Sequence, residues 1–219
     1  MSMEIYFSEI SEVENIETMD LMSLIPKAKQ EKLRNYHFPI DRKLGLYAEL
    51  LVRWRAISQL GLSNSEIEFT INENGKPFLK YYPTFYFNIS HTRNAVVVAF
   101  SRCNVGVDIE KIKSADFQIS KRFLTSTEQD YILSHKNPEC AFYEIWTKKE
   151  AYVKCLGTGL ATPLKSFNVL NKKDNHMINT SKIRNYLVST CCMENVSPHQ
   201  TIKIVPEAEL QILIRKVVK

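Results

Sequence analysis

Apolar residues recur at two different spacings along the chain, and each spacing predicts a different kind of element. Between residues 41 and 60 they stand three or four positions apart and Gly61 follows as a stop signal, which predicts an amphipathic helix. The apolar positions of this helix are Leu44, Tyr47, Leu51, Trp54 and Ile57. Shorter runs that alternate, or that are rich in β-branched and aromatic residues, predict strands. These runs are residues 5–7, 66–72, 85–90, 95–100 and 105–110, and the last three are expected to be neighbouring strands.

The later part of the chain carries signals for two further helices. Thr125 and Glu128 match a capping box, which predicts a helix reaching residue 135. Pro138 suits the first turn of a longer helix that ends at Gly157. Three later segments have the apolar character of strands, namely residues 166–170, 201–204 and 210–218.

The order of these elements favours an α+β fold. Strands and helices are interspersed without a regular strand–helix–strand rhythm of about 30 residues, so mainly antiparallel pairing is expected rather than a doubly wound parallel sheet. A division into two halves, residues 1–104 and 105–219, is plausible, although no linker rich in Pro, Gly or Ser separates them.

Composition narrows the class of protein. The chain has 219 residues and is 44% hydrophobic, so it can bury a sizeable core. Its five cysteines form no CxxC pair and no Cys/His cluster, which argues against a disulfide framework or a structural zinc and favours a reducing, cytoplasmic setting. The acidic first residues and the absence of an apolar run of about 18 residues predict neither a signal peptide nor a membrane span.

Charge is distributed unevenly. Residues 1–26 carry six acids and no Lys or Arg, whereas residues 27–55 carry eight basic residues and three acids. Lys29, Lys32 and Arg42 belong to this basic block, which is a candidate site for an anion. Two other interpretations stay open at this point: a solvated face of a helix, or a surface for nucleic acid.

Two acidic groups are the candidate chemistry. In the strand 105–110, Asp108 and Glu110 stand two apart, so both side chains project from one face. Like charges repel, which is tolerable on a solvated edge or beside a divalent cation. In the predicted long helix, Glu150 and Lys154 follow Trp146 at four-residue steps, which is also the spacing of an ordinary Glu–Lys helix pair. If Glu150 joined the first two acids, three carboxylates would offer hard oxygen ligands for Mg²⁺, the chemistry of phosphoryl transfer.

With those residues placed, the chain resembles the Sfp-type 4′-phosphopantetheinyl transferases. The resemblance rests on three ordered blocks: Gly75-Lys76-Pro77 followed by Phe87-Asn88-Ile89-Ser90-His91, then Gly106-Val107-Asp108-Ile109-Glu110, then Trp146-Thr147-Lys148-Lys149-Glu150 with Lys154 and Gly157-Thr158-Gly159-Leu160. It implies a pseudo-twofold arrangement of two similar α+β halves. Residues 1–104 would contact the nucleotide of coenzyme A, residues 105–219 would carry the metal-binding carboxylates and the catalytic helix, and the active site would lie in the cleft between them.

The resemblance also implies roles for individual residues. Asp108, Glu110 and Glu150 would bind Mg²⁺, with Mn²⁺ as a substitute, and Glu150 and Lys154 would be catalytic. Coenzyme A would be contacted by Lys29, Lys32, Arg42, Lys76, Pro77, Ser90, His91 and Lys154.

The implied activity is transfer of phosphopantetheine from coenzyme A to a serine of an apo acyl or peptidyl carrier protein. Glu150 is the expected proton acceptor, with Glu110 and a metal-bound water as alternatives. The expected partners are coenzyme A and a carrier protein, without nucleic acid or membrane, for an enzyme that is a monomer. Two rival functions remain: a module that binds coenzyme A or an adenine nucleotide without turnover, and a nucleic-acid-binding protein that uses the basic block.

Overall fold

A computed structural model describes residues 3–13, 16–171, 178–193 and 200–218, and within them nine strands and seven α-helices are found. The strands are β1 Glu4–Glu9, β2 Phe69–Ile71, β3 Pro77–Leu79, β4 Tyr86–Thr92, β5 Ala95–Ser101, β6 Val105–Lys111, β7 Ile178–Ile183, β8 Tyr186–Cys192 and β9 Thr201–Ile204. The helices are α1 Ile16–Met22, α2 Lys27–Arg34, α3 Pro39–Leu60, α4 Phe117–Phe123, α5 Ser126–Ser134, α6 Pro138–Leu156 and α7 Glu207–Val217.

The sheets confirm the predicted α+β class. One sheet has the strand order β4-β5-β1-β9, a second has β6-β8-β7, and β2 pairs with β3. Every pairing is antiparallel except that of β1 with β9, which is parallel. The chain therefore returns to its first sheet after completing the second, and β9 extends that sheet beyond β1.

Two long helices pack on these sheets, and both were predicted. Helix α3 packs against β5 and β4, while α6 packs against β6 and β8. Each helix begins with a proline in its first turn and ends at a glycine with positive φ, Gly61 at 70° and Gly157 at 71°. The capping box at Thr125 is also present, since its side chain accepts from the Glu128 amide while Glu128 accepts from the Thr125 amide.

Two predicted strands are wrong. Residues 207–217 form α7 instead of a closing strand, because Leu210 and Ile214, one turn apart, are buried on one side of the helix, which packs against α3. Residues 166–170 follow a short 3-10 turn at Leu164–Ser166 and form no strand. The carbonyls of Leu164 and Phe167 instead accept hydrogen bonds from the Lys149 ammonium, so their partner is a side chain and not a neighbouring strand.

Two smaller predictions also need correction. The strand expected at 66–72 is shortened to β2 by a 3-10 turn at Asn64–Glu66. Strand β6, expected as a sheet neighbour of β4 and β5, lies beside β4 but hydrogen-bonds to β8 in the other sheet. This arrangement matters for the site, because it faces the side chains of β4 toward those of β6.

The sequence argued against a disulfide framework, but two of the five cysteines are bonded to each other. Cys103 and Cys192 form a disulfide that joins the turn before β6 to the end of β8, whereas Cys140, Cys155 and Cys191 are free thiols. The cysteine spacing gave no sign of this pair, because the two residues are 89 positions apart and are brought together only by the pairing of β6 with β8. Within the described ranges, no helix has the length and apolar character needed to cross a membrane.

Candidate active site

The site is organised by hydrogen bonds that link polar side chains of β4 to β6, which we call the polar ladder. Side chains two apart on a strand share a face, so Asn88 and Thr92 lie on the same side of β4 as Ser90. The Val107 amide donates to Asn88 Oδ1 over 2.8 Å, and Thr92 Oγ1 donates to Glu110 Oε2 over 2.9 Å. On the opposite face of β6, Val107 is buried in an apolar cluster. The predicted alternation therefore holds, with both carboxylates on the face turned toward β4.

Helix α6 reaches this ladder because Gly106 has no side chain. A Cβ on Gly106 would lie 1.9 Å from the Ala151 carbonyl oxygen and 2.4 Å from the Cys155 amide nitrogen. Any other residue would force helix and strand apart. The glycine thus allows α6 to carry Glu150 and Lys154 up to Asp108.

Asp108 is the centre of the hydrogen-bonding network. Its side chain is buried, at 5% exposure. Oδ1 accepts from Lys154 Nζ over 2.6 Å and from Ser90 Oγ over 2.9 Å, and Lys154 Nζ also donates to Ser90 Oγ over 2.9 Å. The second oxygen, Oδ2, is buried and has no hydrogen-bond partner among the described residues.

The two other acids are partly buried and feel the charge of Asp108. Burial and then the Asp108 charge raise the pKa of Glu110, while the Thr92 hydrogen bond and nearby lysines oppose the rise. The pKa of Glu150 is also raised, first by burial and then by Asp108, and Lys154 lowers it. Two partly buried acids whose charged forms are disfavoured by burial and by a third acid are typical of a functional site rather than of a solvated surface.

The donor set fits a hard divalent cation in two respects. Three carboxylates supply oxygen ligands, and Oδ2 of Asp108 is a buried acceptor to which no described residue donates. The described residues nevertheless contain no group of three His, Cys, Asp or Glu close enough to hold a metal. The Lys154 ammonium lies on Asp108 Oδ1 and Thr92 holds Glu110, so these contacts compete with metal coordination.

A cleft of about 520 Å³ opens beside the network. It is lined by Asn74–Pro77 and β4 from the earlier part of the chain, and by α4, α6 and the segment Thr162–Lys165 from the later part. Glu150 and Lys154 both line it. Its volume lies in the range of small-molecule sites, roughly 300–1,000 Å³, and its walls come from residues on both sides of Asn104.

Several residues expected at coenzyme A lie at or near this cleft. Lys76 and Pro77 line it, and Lys76 Nζ donates to the carbonyls of Val105 and Cys155 over 3.0 and 3.2 Å. Burial lowers the pKa of Lys76. His91 is an exposed residue next to Ser90, and partial desolvation and then the Lys154 charge lower its pKa, while Asp41 raises it.

The basic block is not gathered around the cleft. Lys29 Nζ forms an ion pair with Glu49 Oε2 over 3.2 Å, so part of its charge is balanced by α3. Lys32 is exposed on α2, and Arg42 is half-buried in the first turn of α3. None of these three residues lines the cleft.

Some residues of the site had no predicted role. The alternation that places Ser90 on the polar face of β4 also places Asn88 and Thr92 there. Their role depends on β6, which lies opposite this face. Arg122 and Lys165 line the cleft from the later half of the chain, and no local motif marks them. Trp146 packs between Phe142 and Phe123, with ring centroids 6.1 and 5.9 Å away, so it supports the cleft from behind.

Comparison with known families gives two adjoining matches. The family model described as the 4′-phosphopantetheinyl transferase superfamily matches residues 104–197. A model described as the N-terminal part of a 4′-phosphopantetheinyl transferase matches residues 14–103. Together they span the polar ladder, the long helix α6 and the cleft.

Individual relatives agree with the family models. The chain is 38% identical to the 4′-phosphopantetheinyl transferase Sfp of Bacillus subtilis strain 168 over 155 residues, which is 70% of this chain and 69% of that protein. It is 36% identical to another 4′-phosphopantetheinyl transferase from Bacillus subtilis, over 72% of this chain and 71% of the relative. Among solved structures, the holo-[acyl-carrier-protein] synthase of Thermotoga maritima aligns with a TM-score of 0.34 and 22% identity, covering 40% of this chain and 60% of that one.

Proposed function

Because the chain belongs to the 4′-phosphopantetheinyl transferase superfamily, we propose that it transfers the phosphopantetheine group of coenzyme A to a serine of an apo acyl or peptidyl carrier protein. 3′,5′-ADP would be released. The observation that carries the proposal is the meeting of Asp108, Ser90 and Lys154 in one hydrogen-bonded group at a cleft that Glu150 also lines. A module that only bound coenzyme A would not need acids with raised pKa values beside the bound phosphates.

In the proposed reaction the serine oxygen bonds to the β-phosphorus of coenzyme A. The bond from that phosphorus to the bridging oxygen breaks, and 3′,5′-ADP leaves with the oxygen. Glu150, a carboxylate that lines the cleft, accepts the serine proton. Lys154 donates to the phosphate oxygens on which charge gathers.

The same residues would hold the metal. Asp108, Glu110 and Glu150 would bind Mg²⁺, with Mn²⁺ as a substitute, and such an ion stabilises charge on phosphate oxygens as a Lewis acid. Lys76, Pro77, Ser90 and His91 are proposed to contact coenzyme A, with Lys76 and Pro77 toward its nucleotide. The residues after Asn104 carry 17 basic and 12 acidic side chains, a sign that suits docking of an acidic carrier protein.

Mass spectrometry of apo carrier proteins tests the proposal directly. Incubation with the protein, coenzyme A and MgCl₂ is expected to add the mass of one phosphopantetheine, and a carrier protein with its serine replaced by alanine should stay unmodified. Binding of coenzyme A with no mass gain on any of a broad panel of carrier proteins would instead favour the module without turnover.

Metal removal is a second arm of the same assay. Excess EDTA is expected to stop the transfer and added Mg²⁺ or Mn²⁺ to restore it, because the pyrophosphate and three acids leave a concentration of negative charge that needs a hard cation. Full activity in excess EDTA would contradict the three-carboxylate site.

A further prediction concerns the 3′-phosphate of coenzyme A, which we propose is bound by Lys29, Lys32 and Arg42. Charge-assisted contacts to a phosphate are worth about 1.5–3 kcal/mol each when partly desolvated. Dephospho-coenzyme A should therefore be a poorer substrate, chiefly through weaker binding, since this phosphate is remote from the reacting atoms. The double variant Lys29→Ala/Lys32→Ala should discriminate less between the two substrates.

Initial rates with both substrates and both proteins complete the double-mutant cycle. The variant Lys27→Ala, on the same helix, is the control for a general change of charge. If the double variant keeps the full wild-type preference for coenzyme A, these lysines are a solvated face, and the cleft cations Lys76, Arg122 and Lys165 become the candidates for the phosphate.

A further inference from the structure

Lys149 is a fully buried lysine beside the proposed base Glu150. Its side chain is 0% exposed. An ammonium group has three N–H donors, and here each has a partner: the Leu164 carbonyl at 2.7 Å, the Phe167 carbonyl at 2.6 Å and Glu128 Oε2 at 2.9 Å. The ammonium also lies 4.3 Å from the centroid of the Phe167 ring.

The partner acid extends this contact to two further elements. Glu128 is likewise 0% exposed. Its Oε1 accepts from the Val169 amide over 2.9 Å, and its Oε2 accepts from the amide and the hydroxyl of Thr125 over 2.8 and 3.0 Å. The buried pair therefore joins α6, the start of α5 and the chain segment 164–169.

That segment continues directly into one side of the cleft. Residues 162–165, which we call the cleft wall, all line the cleft. Lys165 Nζ donates to the Lys121 carbonyl over 3.2 Å, so the wall also supports the end of α4, from which Arg122 and Phe123 line the cleft. The wall has no strand pairing, and Lys149 instead binds one carbonyl within it, that of Leu164, and one just after it, that of Phe167.

We propose that Lys149 is a positioning residue that fixes the cleft wall and thereby sets how tightly the cleft binds coenzyme A. This inference rests on the proposed function for the identity of the ligand. Lys149 itself does not line the cleft, whereas its neighbour Glu150 does. Loss of its three contacts releases the wall but leaves Glu150 and Lys154 on their helix.

Lys43 provides a matched control in the other half of the chain. It is 1% exposed, and its Nζ donates to the carbonyls of Ser11 and Val13 over 2.6 and 2.8 Å and pairs with Glu207 at 3.0 Å. Like Lys149, Lys43 lies on a long helix and binds two loop carbonyls and one carboxylate. The segment that it holds does not line the cleft.

The test compares Lys149→Met with Lys43→Met in carrier-protein modification. For Lys149→Met the KM for coenzyme A should rise at least about tenfold, since a wall that is no longer held makes fewer contacts with the bound ligand. Its kcat at saturating coenzyme A should stay within about threefold of wild type, because the interaction lost concerns binding. Lys43→Met should change the KM by less than about threefold. Equal KM values in the two variants would overturn the inference.

Hydrogen exchange gives a readout that needs no substrate. The Val169 amide and its neighbours in 166–169 should exchange at least about tenfold faster in Lys149→Met, while amides in the middle of α6 stay protected. Unchanged exchange in this segment would also overturn the inference. Should Lys149→Met not fold, Glu128→Gln keeps the shape of the pair without its charge and is expected to change KM and exchange in the same directions. If wild type modifies no carrier protein from coenzyme A, the proposed function fails, while the exchange comparison still tests the positioning.

Discussion

Asp108→Asn is expected to slow carrier-protein modification by about 10³-fold at saturating coenzyme A, with the fold retained. Asparagine keeps the shape of the side chain but removes the charge that pairs with Lys154 at 2.6 Å and that would bind a metal. Loss of one preorganised electrostatic contact at a reaction centre commonly costs about 10²–10³-fold, and here both a cation partner and a proposed metal ligand are lost together.

Asparagine is the right replacement because Asp108 is buried. Asp108 is only 5% exposed, so alanine would leave a cavity and would leave the Lys154 ammonium without its carboxylate partner. A loss of activity could then reflect a loss of structure. Glu4→Gln is the matched control, since Glu4 is also a partly buried carboxylate with two cationic partners, Arg55 and Lys203. Thermal unfolding and initial rates of both variants decide the matter: turnover of Asp108→Asn within a few-fold of wild type would remove this acid from the mechanism.

The sequence was sufficient wherever a function depends on local periodicity. A period of two placed Asp108 and Glu110 on one face of a strand, and a four-residue step placed Glu150 and Lys154 on one side of a helix. The caps of α5 and α6 were equally local, because each is formed by residues within a few positions of the helix end.

Other features required contacts between residues far apart in sequence. The strand predicted at 166–170 fails because a lysine from α6 binds the carbonyl of Phe167 and that of Leu164 just before it, and nothing in those five residues indicates that lysine. The partner of Lys29 in the basic block was likewise not visible in the local sequence, because Glu49 lies 20 positions away and one helix later. The disulfide of Cys103 depends in the same way on the pairing of β6 with β8.

The polar ladder lies between these cases. Asn88, Ser90 and Thr92 have the alternation of a strand with one polar face, which the sequence displays openly. That this face meets β6 depends on how the two sheets pack, because β4 and β6 belong to different sheets. Composition and periodicity therefore identified the acids but not the residues that orient them.

Lys154→Met is expected to separate catalysis from metal binding. Methionine keeps most of the apolar stem that lines the cleft but removes the ammonium proposed to stabilise charge on the phosphate. The maximal rate should fall by about 10²–10³-fold, or roughly 2–4 kcal/mol, as for other preorganised donors. Lys148→Met is the control, because it makes the same change on the same helix at a lysine that pairs with Glu144 instead.

The same variant should bind Mg²⁺ more tightly when coenzyme A is absent. In the wild type the Lys154 ammonium lies on Asp108 Oδ1, where a metal ion would have to compete with it. Without the ammonium, the three acids have less compensating positive charge, so the metal-free variant should be less stable than the metal-free wild type. Added Mg²⁺ should therefore restore more stability to the variant. Because a ligand that binds the native state raises stability in proportion to the logarithm of its concentration over Kd, the midpoint of unfolding should rise at lower MgCl₂ concentrations than in wild type.

The two measurements together distinguish the proposed role of Lys154 from simpler ones. A lysine that only balanced the acids would, when removed, leave the rate unchanged once Mg²⁺ saturated the site. A lysine that only contacted the carrier protein would raise the KM for that protein and leave kcat and Mg²⁺ binding as in wild type. Slower turnover at saturating substrates, combined with tighter Mg²⁺ binding, is expected only if one ammonium group holds Asp108 before coenzyme A binds and serves the phosphate afterwards.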